Sequence, residues 1–287
     1  MRHRTLLTIA LLGSLVLASS VGALLAENVD PDNDDSQRAW AENVGWINVE
    51  PANCGGCGVQ VDDFALSGWA WAENFGWISL SCLNTASCGS VDYGVTNDGA
   101  GQLGGMAWAE NAGWINFAPA TSTASISPLT GELEGFAWGE NVGWISLSCT
   151  NTASCGTADY GIKTDWCSSV AAAPSGTPEV SARRAGNDVS LLWSAIAGAA
   201  WYETIRGELG LLRSSAGDFG TADGCAADNV TNTSIVVSGT PTLPSGDGYW
   251  YLVRAVNCKG KGTYDSAGPN QVGLRDAEIA GSGVDCP

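Results

Sequence analysis

Histidine is all but missing from this chain. Its one copy, His3, lies in a leader expected to be removed. A mature chain without histidine cannot assemble a Ser-His-Asp triad, a Cys-His dyad or a histidine-ligated zinc site. Positive charge is scarce too, with 12 lysines and arginines against 30 acids and a formal charge of −18. No basic stretch follows the leader, which argues against nucleic acid and anionic lipid as partners. No later apolar run is long enough to span a bilayer, so membrane insertion is not expected. No useful 3.6-residue apolar period marks a helix beyond the leader. What the chain has instead is 38 glycines, 13 tryptophans and 10 cysteines. With 45% hydrophobic residues it can bury a core, and its 287 residues leave room for two domains of ordinary size.

Residues 1–26 read as an export signal. Arg2, His3 and Arg4 form a positive start, and Leu6 to Ala18 is an apolar run of the right length. Val21-Gly22-Ala23 supplies the small residues that signal peptidase requires, so cleavage is expected after Ala23, with Ala26 as the second choice. The run falls short of the roughly 20 residues of a membrane anchor. Its removal takes two further positive charges from an already acidic chain. The expected product is secreted: extracellular, or periplasmic.

All ten cysteines follow the leader, and an even count in an exported chain reads as disulfides. Cys82-Leu-Asn-Thr-Ala-Ser-Cys88 recurs as Cys149-Thr-Asn-Thr-Ala-Ser-Cys155. Each is expected to close a short loop, worth about 2 kcal/mol by loop entropy. Cys54 and Cys57 form a C-x-x-C pair, which redox sites also use. With nothing helical nearby, a structural bridge is preferred. Only one such knuckle exists, so an all-cysteine metal site is not expected. Cys167, Cys225, Cys258 and Cys286 allow three connectivities. Cys225 with Cys258 is the expected pair, because Cys258 directly follows a strand that the connection around Cys225 could reach. Cys167 and Cys286 bracket the same region and are left to close on each other.

Residues 27–167 are repetitive. Ala-Trp-Ala-Glu-Asn-Val-Gly-Trp-Ile at 39–47 returns from Ala70, Ala107 and Ala137, with glutamates at Glu42, Glu73, Glu110 and Glu140. The second and fourth copies carry the cysteine loop, so the larger unit is a pair of about 67 residues present twice. Such a period marks stacked or radially arranged units. Tryptophans six apart flank Ala-Glu-Asn-x-Gly, the composition of a hairpin turn. Glycine permits a positive φ there, and asparagine tolerates it best among the others. Each copy reads as a meander of about three short strands. A propeller blade needs about four strands, so an open stack or sandwich of meanders is expected rather than radial closure.

Because the tryptophans recur in every copy, they are expected to form seams between repeats. Trp69 and Trp166 fall outside the pattern and are the ligand-binding candidates, since exposed aromatics serve sugars and peptides. The repeated glutamates could pair as glycosidase carboxylates, but residues fixed at one turn position are expected to bond that turn. Asp30, Asp32 and Asp34 have the oxygen density of a calcium loop. They lack the glycine and the distal glutamate of an EF-hand, so a solvated acidic tail is preferred. No cofactor is expected.

Residues 168–178 have linker composition, rich in Ala, Ser, Pro and Gly. From 179 to 287 strand-like runs return, among them 189–193, 201–206, 234–237, 249–257 and 271–274. Their spacing fits an antiparallel sandwich. Trp193, Tyr202 and Leu243-Pro244-x-Gly246-x-x-Tyr249, followed by Tyr251, Val253, Ala255 and Asn257, resemble a fibronectin type III domain. Trp193 stands at that family's strand-B core tryptophan, Tyr202 at its strand-C tyrosine, and 243–257 resembles its tyrosine corner and strand F. The chain departs from the family in carrying cysteines and a long connection over Leu211–Asp228. The Gly-x-Ala-Trp-x-Glu-Asn-x-Gly-Trp-Ile repeat is similar to one in exported bacterial proteins. Neither likeness implies an activity. The expected fold is therefore all-β: a Trp-rich meander repeat domain, then an immunoglobulin-like, fibronectin type III-like sandwich. The leading functional expectation is a secreted, non-enzymatic binding or scaffold module with an extracellular protein or glycan as partner. A lectin-like protein using repeat tryptophans is second, and a two-carboxylate glycoside hydrolase a distant third.

Overall fold

The computed structural model describes residues 29–287 apart from 267, 270 and 272. The expected leader lies outside the described residues. The protein is all-β, a repeat domain followed by a sandwich.

Each repeat copy folds into one hairpin. These are β1 Arg38–Ala41 with β2 Gly45–Asn48, and β3 Trp69–Ala72 with β4 Gly76–Ser79. They are followed by β5 Leu103–Ala109 with β6 Gly113–Asn116, and β7 Phe136–Gly139 with β8 Gly143–Ser146. The hairpins join edge to edge in one register: Ile47 opposite Ala72, Ile78 opposite Ala109, Ile115 opposite Gly139, and Ile145 opposite Ala41. The last pairing returns to the first strand. Eight strands thus close into a barrel with internal fourfold repetition, which corrects the expected open stack. Strand counting misled because each copy gives only two strands to the wall. Its third, such as Val95–Asn97 beside β5, builds a flap outside the ring. Four hairpins with identical edges satisfy every edge only by closing.

An eight-stranded barrel has room for side chains and little else. Period-two alternation turns Ala39, Ala41 and Ile47, and their equivalents in the other copies, inward to full burial. The tryptophans of the same strands therefore point outward. In three hairpins they meet edge to face across the pair, with ring centroids 4.7–4.9 Å apart. The expected tryptophan seams are alanine–isoleucine seams. The interior keeps an apolar cavity of about 50 Å³, not a channel. Trp166, expected to be exposed, is buried in the repeat domain's hydrophobic cluster at 1% exposure, outside the ring strands, with Nε1 donating to Asp63 at 3.0 Å.

The turns are tied to one another. Among the described residues, positive φ in these turns falls on Gly45, Gly76, Gly113 and Gly143, never on the asparagines. The asparagines reach to the neighbouring hairpin instead. Asn74 donates to the Val44 carbonyl at 2.7 Å, Asn111 to Phe75 at 3.0 Å and Asn141 to Ala112 at 3.1 Å. Asn43 sits against Gly143 and completes the circle.

The second domain sets a three-stranded sheet against a four-stranded one. The first holds β9 Val180–Ala185, β10 Asp188–Trp193 and β13 Ser234–Val237. The second holds β11 Trp201–Glu208, β12 Ala222–Val230, β14 Tyr249–Asn257 and β15 Gly260–Lys261. Trp193 and Tyr202 meet in the core between them at 5.5 Å. The long connection after β11 contains helix α1, Leu209–Ser214. Residues 271, 273 and 274 form no strand. Gln271 closes a turn instead, its amide donating to Gly268 and its side chain accepting from Ser266. Helix α2, Arg275–Ser282, then covers the outer face of the four-stranded sheet, burying Ile279 against Ile205 and Tyr264.

Five disulfides are present: Cys54–Cys57, Cys82–Cys88, Cys149–Cys155, Cys167–Cys258 and Cys225–Cys286. The expected Cys225–Cys258 and Cys167–Cys286 pairs are replaced by the last two. Cys225 lies opposite Ile205, which lies opposite Leu252. Cys258 is six residues further along, about 20 Å in extended chain, beyond the reach of a disulfide. Cys258 faces the barrel instead, its amide donating to Leu129 at 3.3 Å. Residues 168–178 lie along the sandwich, with Asn257 donating to Ala172 and Thr177 to Asp265.

Candidate functional site

Two clefts open on the barrel wall where hairpins meet. The first, about 380 Å³, is lined by Trp69, Trp77, Trp108, Glu110, Thr85 and the Cys54–Cys57 bridge. The second, about 510 Å³, is lined by Trp40, Glu42, Phe136, Trp144, Thr152 and the hydroxyls of Thr121, Ser122 and Ser146. They are the same site twice. A shift of one 67-residue unit carries Trp69 to Phe136, Trp77 to Trp144 and Thr85 to Thr152, and Trp108 and Glu110 take the places of Trp40 and Glu42.

Local bonds hold each cleft in shape. In the first, Trp69 and Trp77 lie 6.2 Å apart with planes at 77°. In the second, Phe136 and Trp144 lie 6.0 Å apart, also at 77°. Two rings at that angle make a corner rather than a stack. The residue before each outer ring is a glycine with positive φ, Gly68 or Gly135. A Cβ there would fall 2.1 Å from the carbonyl oxygen of Gly58 or Thr123. The cysteine loops reach these glycines: Gly68 N–H donates to Asn84 at 3.1 Å and Gly135 N–H to Asn151 at 3.1 Å, and each asparagine amide donates back to the glycine carbonyl. The duplicated loop therefore buttresses the strand that carries the outer ring. The carboxylate is placed by its own backbone, Glu110 N–H donating to Trp77 at 3.3 Å and Glu42 N–H to Trp144 at 2.9 Å.

No family model and no curated protein matches the sequence. Among solved structures, a Fn3-like protein from Clostridium thermocellum is similar at 28% identity, covering 33% of this chain and 84% of its own, with a TM-score of 0.22.

The structure separates the candidates read from sequence. Trp69 is half-buried in the first cleft, while Trp166 is core. Glu42, Glu73, Glu110 and Glu140 are exposed at the four turns, and Glu110 and Glu42 line the first and second clefts. Among the described residues none accepts a bond from its own turn. The backbone closes the turn itself, as Val44 N–H does to Ala41 at 3.3 Å. Asp30, Asp32 and Asp34 are not a solvated tail. Asp30 is 7% exposed, and its carboxylate accepts from Asp34 N–H at 2.9 Å and Ser36 Oγ at 3.1 Å. Asp32 pairs with Lys163. Hydrogen bonding from Ser36 holds the Asp34 carboxyl below its ordinary value. Among the described residues the three carboxylates do not converge as calcium ligands.

Sequence reasoning missed Phe136 as a cleft wall, and held Trp40, Trp77, Trp108 and Trp144 as ligand contacts only in the second, lectin-like reading. The signal was available in one place: the duplicated unit puts Phe136 where Trp69 stands, so a residue outside the hairpin pattern was aromatic in both halves.

Proposed function

We propose that this protein is an exported, non-enzymatic binding module that holds its ligand in the paired aromatic clefts. The observation that carries this is the recurrence of one built site at two positions: a ring corner, a third ring from the next hairpin, and one glutamate. Packing alone would bury these rings. Here they line open clefts whose walls are fixed from behind by the disulfide loops, so little ordering is left for binding to impose. Hydrolysis by paired carboxylates needs two acids facing each other across the scissile bond, and each cleft is lined by one. Five disulfides and the leader support export.

The hydroxyls of Thr121 and Ser122 support a second reading, in which the second cleft takes a glycan. A glycan array probed with the mature chain, with tryptophan fluorescence for soluble ligands, tests both. Binding lost in the Trp77→Ala, Trp144→Ala double variant supports the clefts as the site. Binding that survives intact in that variant, with the fold unchanged by circular dichroism, overturns it.

A further inference from the structure

On the strength of the binding role proposed above, we infer that the clefts recognise an organic cation, a quaternary ammonium group, and that the first cleft binds it more tightly.

Three properties of the first cleft converge on that chemistry. Its walls are indole rings set at an angle, so a compact cation in the corner meets more than one ring, and tryptophan is the best of the aromatic partners for a cation. Besides the indole N–H groups, its lining offers two polar side chains, Thr85 and Glu110. A sugar placed there would find few acceptors for its hydroxyls. A quaternary ammonium has no N–H to satisfy. The single carboxylate supplies the opposite charge at the rim, held beside Trp77 by the Glu110 backbone.

The protein's own cations do not compete. No lysine or arginine lines either cleft. Among the described residues the cation–ring contacts all lie in the sandwich, at Arg206 with Tyr249, Arg254 with Tyr264 and Arg275 with Phe219. With a net charge of −18, the chain also draws cations toward its surface, an attraction that salt weakens. The two clefts differ in one ring, Trp69 against Phe136, and in one polar wall, the Cys54–Cys57 bridge of the first against Thr121, Ser122 and Ser146 of the second. Indole binds cations more strongly than phenyl, which ranks the first cleft above the second.

The test uses the mature chain with choline as probe and 3,3-dimethyl-1-butanol as its uncharged isostere, followed by calorimetry and tryptophan fluorescence. The expected result is two sites for choline, each at least about tenfold tighter than for the isostere. Glu110→Gln should weaken the tighter site without disturbing the fold, and Phe136→Trp should bring the weaker site up toward the stronger. Glu110 is exposed, so this variant keeps the test open if Trp69→Ala fails to fold. Equal binding of choline and the isostere would overturn the cation inference while leaving the clefts as a binding site. So would silence from both probes beside a glycan hit that Trp77→Ala abolishes. Silence from both probes and from the array would remove the cation inference and the binding role together.

Discussion

The barrel and the sandwich use tryptophan in opposite directions. In the sandwich, Trp193 is 4% exposed and packs on Tyr202 between two sheets. In the barrel, Trp40, Trp46 and Trp138 are each 37% exposed on the outer wall, and alanine and isoleucine fill the inside. The cause is the space each architecture encloses. Two sheets packed face to face stand about 10 Å apart, which accommodates indole rings. An eight-stranded ring leaves a narrow interior, so the inward positions take alanine and isoleucine and the indoles go outside. Carboxylates follow the same division. The four repeat glutamates are exposed, whereas Glu203 is buried at 1%, bonding Arg254 Nε at 2.8 Å and Lys261 Nζ at 3.1 Å beneath the C-terminal layer. Burial there also raises the Tyr264 phenol well above its ordinary value, although the Arg254 guanidinium beside it acts in the other direction.

The contrast is broken most strongly at Trp193. Trp193→Ala should cost about 4 kcal/mol, against about 1 kcal/mol for Trp138→Ala. Hydrogen exchange resolved by domain checks this, and equal losses would remove the distinction between inward and outward rings. Next comes the buried ion cluster. Glu203→Ala strands Arg254 with one partner fewer and should destabilise the sandwich by about 3 kcal/mol, while Glu73→Ala should leave the denaturation midpoint in place. Third, Ala72→Leu should overpack the barrel at a cost of about 2 kcal/mol. The same swap at exposed Ala173 should have no measurable effect. A tolerated leucine at 72 would mean that the ring is looser than its interior implies. The smallest effect sharpens the account of closure. Asn141→Ala removes one turn-to-turn bond and should cost about 1 kcal/mol, raising exchange in β6 and β7 before the other seams. A uniform rise instead would show that the asparagine circle does not act seam by seam.

Much of this was legible in the chain. The hairpins follow from Ala-Trp-Ala-Glu-Asn-x-Gly-Trp-Ile because alternation and a glycine turn are local properties. The loop bridges at Cys82–Cys88 and Cys149–Cys155 follow from short spacing. Trp193 and Tyr202 could be placed through the resemblance to a known family rather than from spacing. The cysteine exchange was not legible, because Cys225 and Cys258 look close on a strand list and lie about 20 Å apart along the sheet. Nor was the burial of Trp166, which falls outside the repeat pattern and is covered by residues distant in sequence, Asp63 among them. The clefts were half legible: Trp69 was singled out, but beside Trp77 of its own hairpin its companions come from the next hairpin and from the disulfide loop.

What the sequence by itself determined is the four hairpins, because each depends on residues within a dozen positions of one another, and their duplication, because it is read directly from the repeated residues. It determined the alternation as well, small residues on one face and indoles on the other. It did not determine which face is inside. An alternating strand can bury either set, and the choice is made only when the eighth strand meets the first. At that point the curvature of the closed wall admits alanine and excludes tryptophan. Tertiary structure alone therefore placed nine indoles on the outside of the ring and gathered some of them into two clefts.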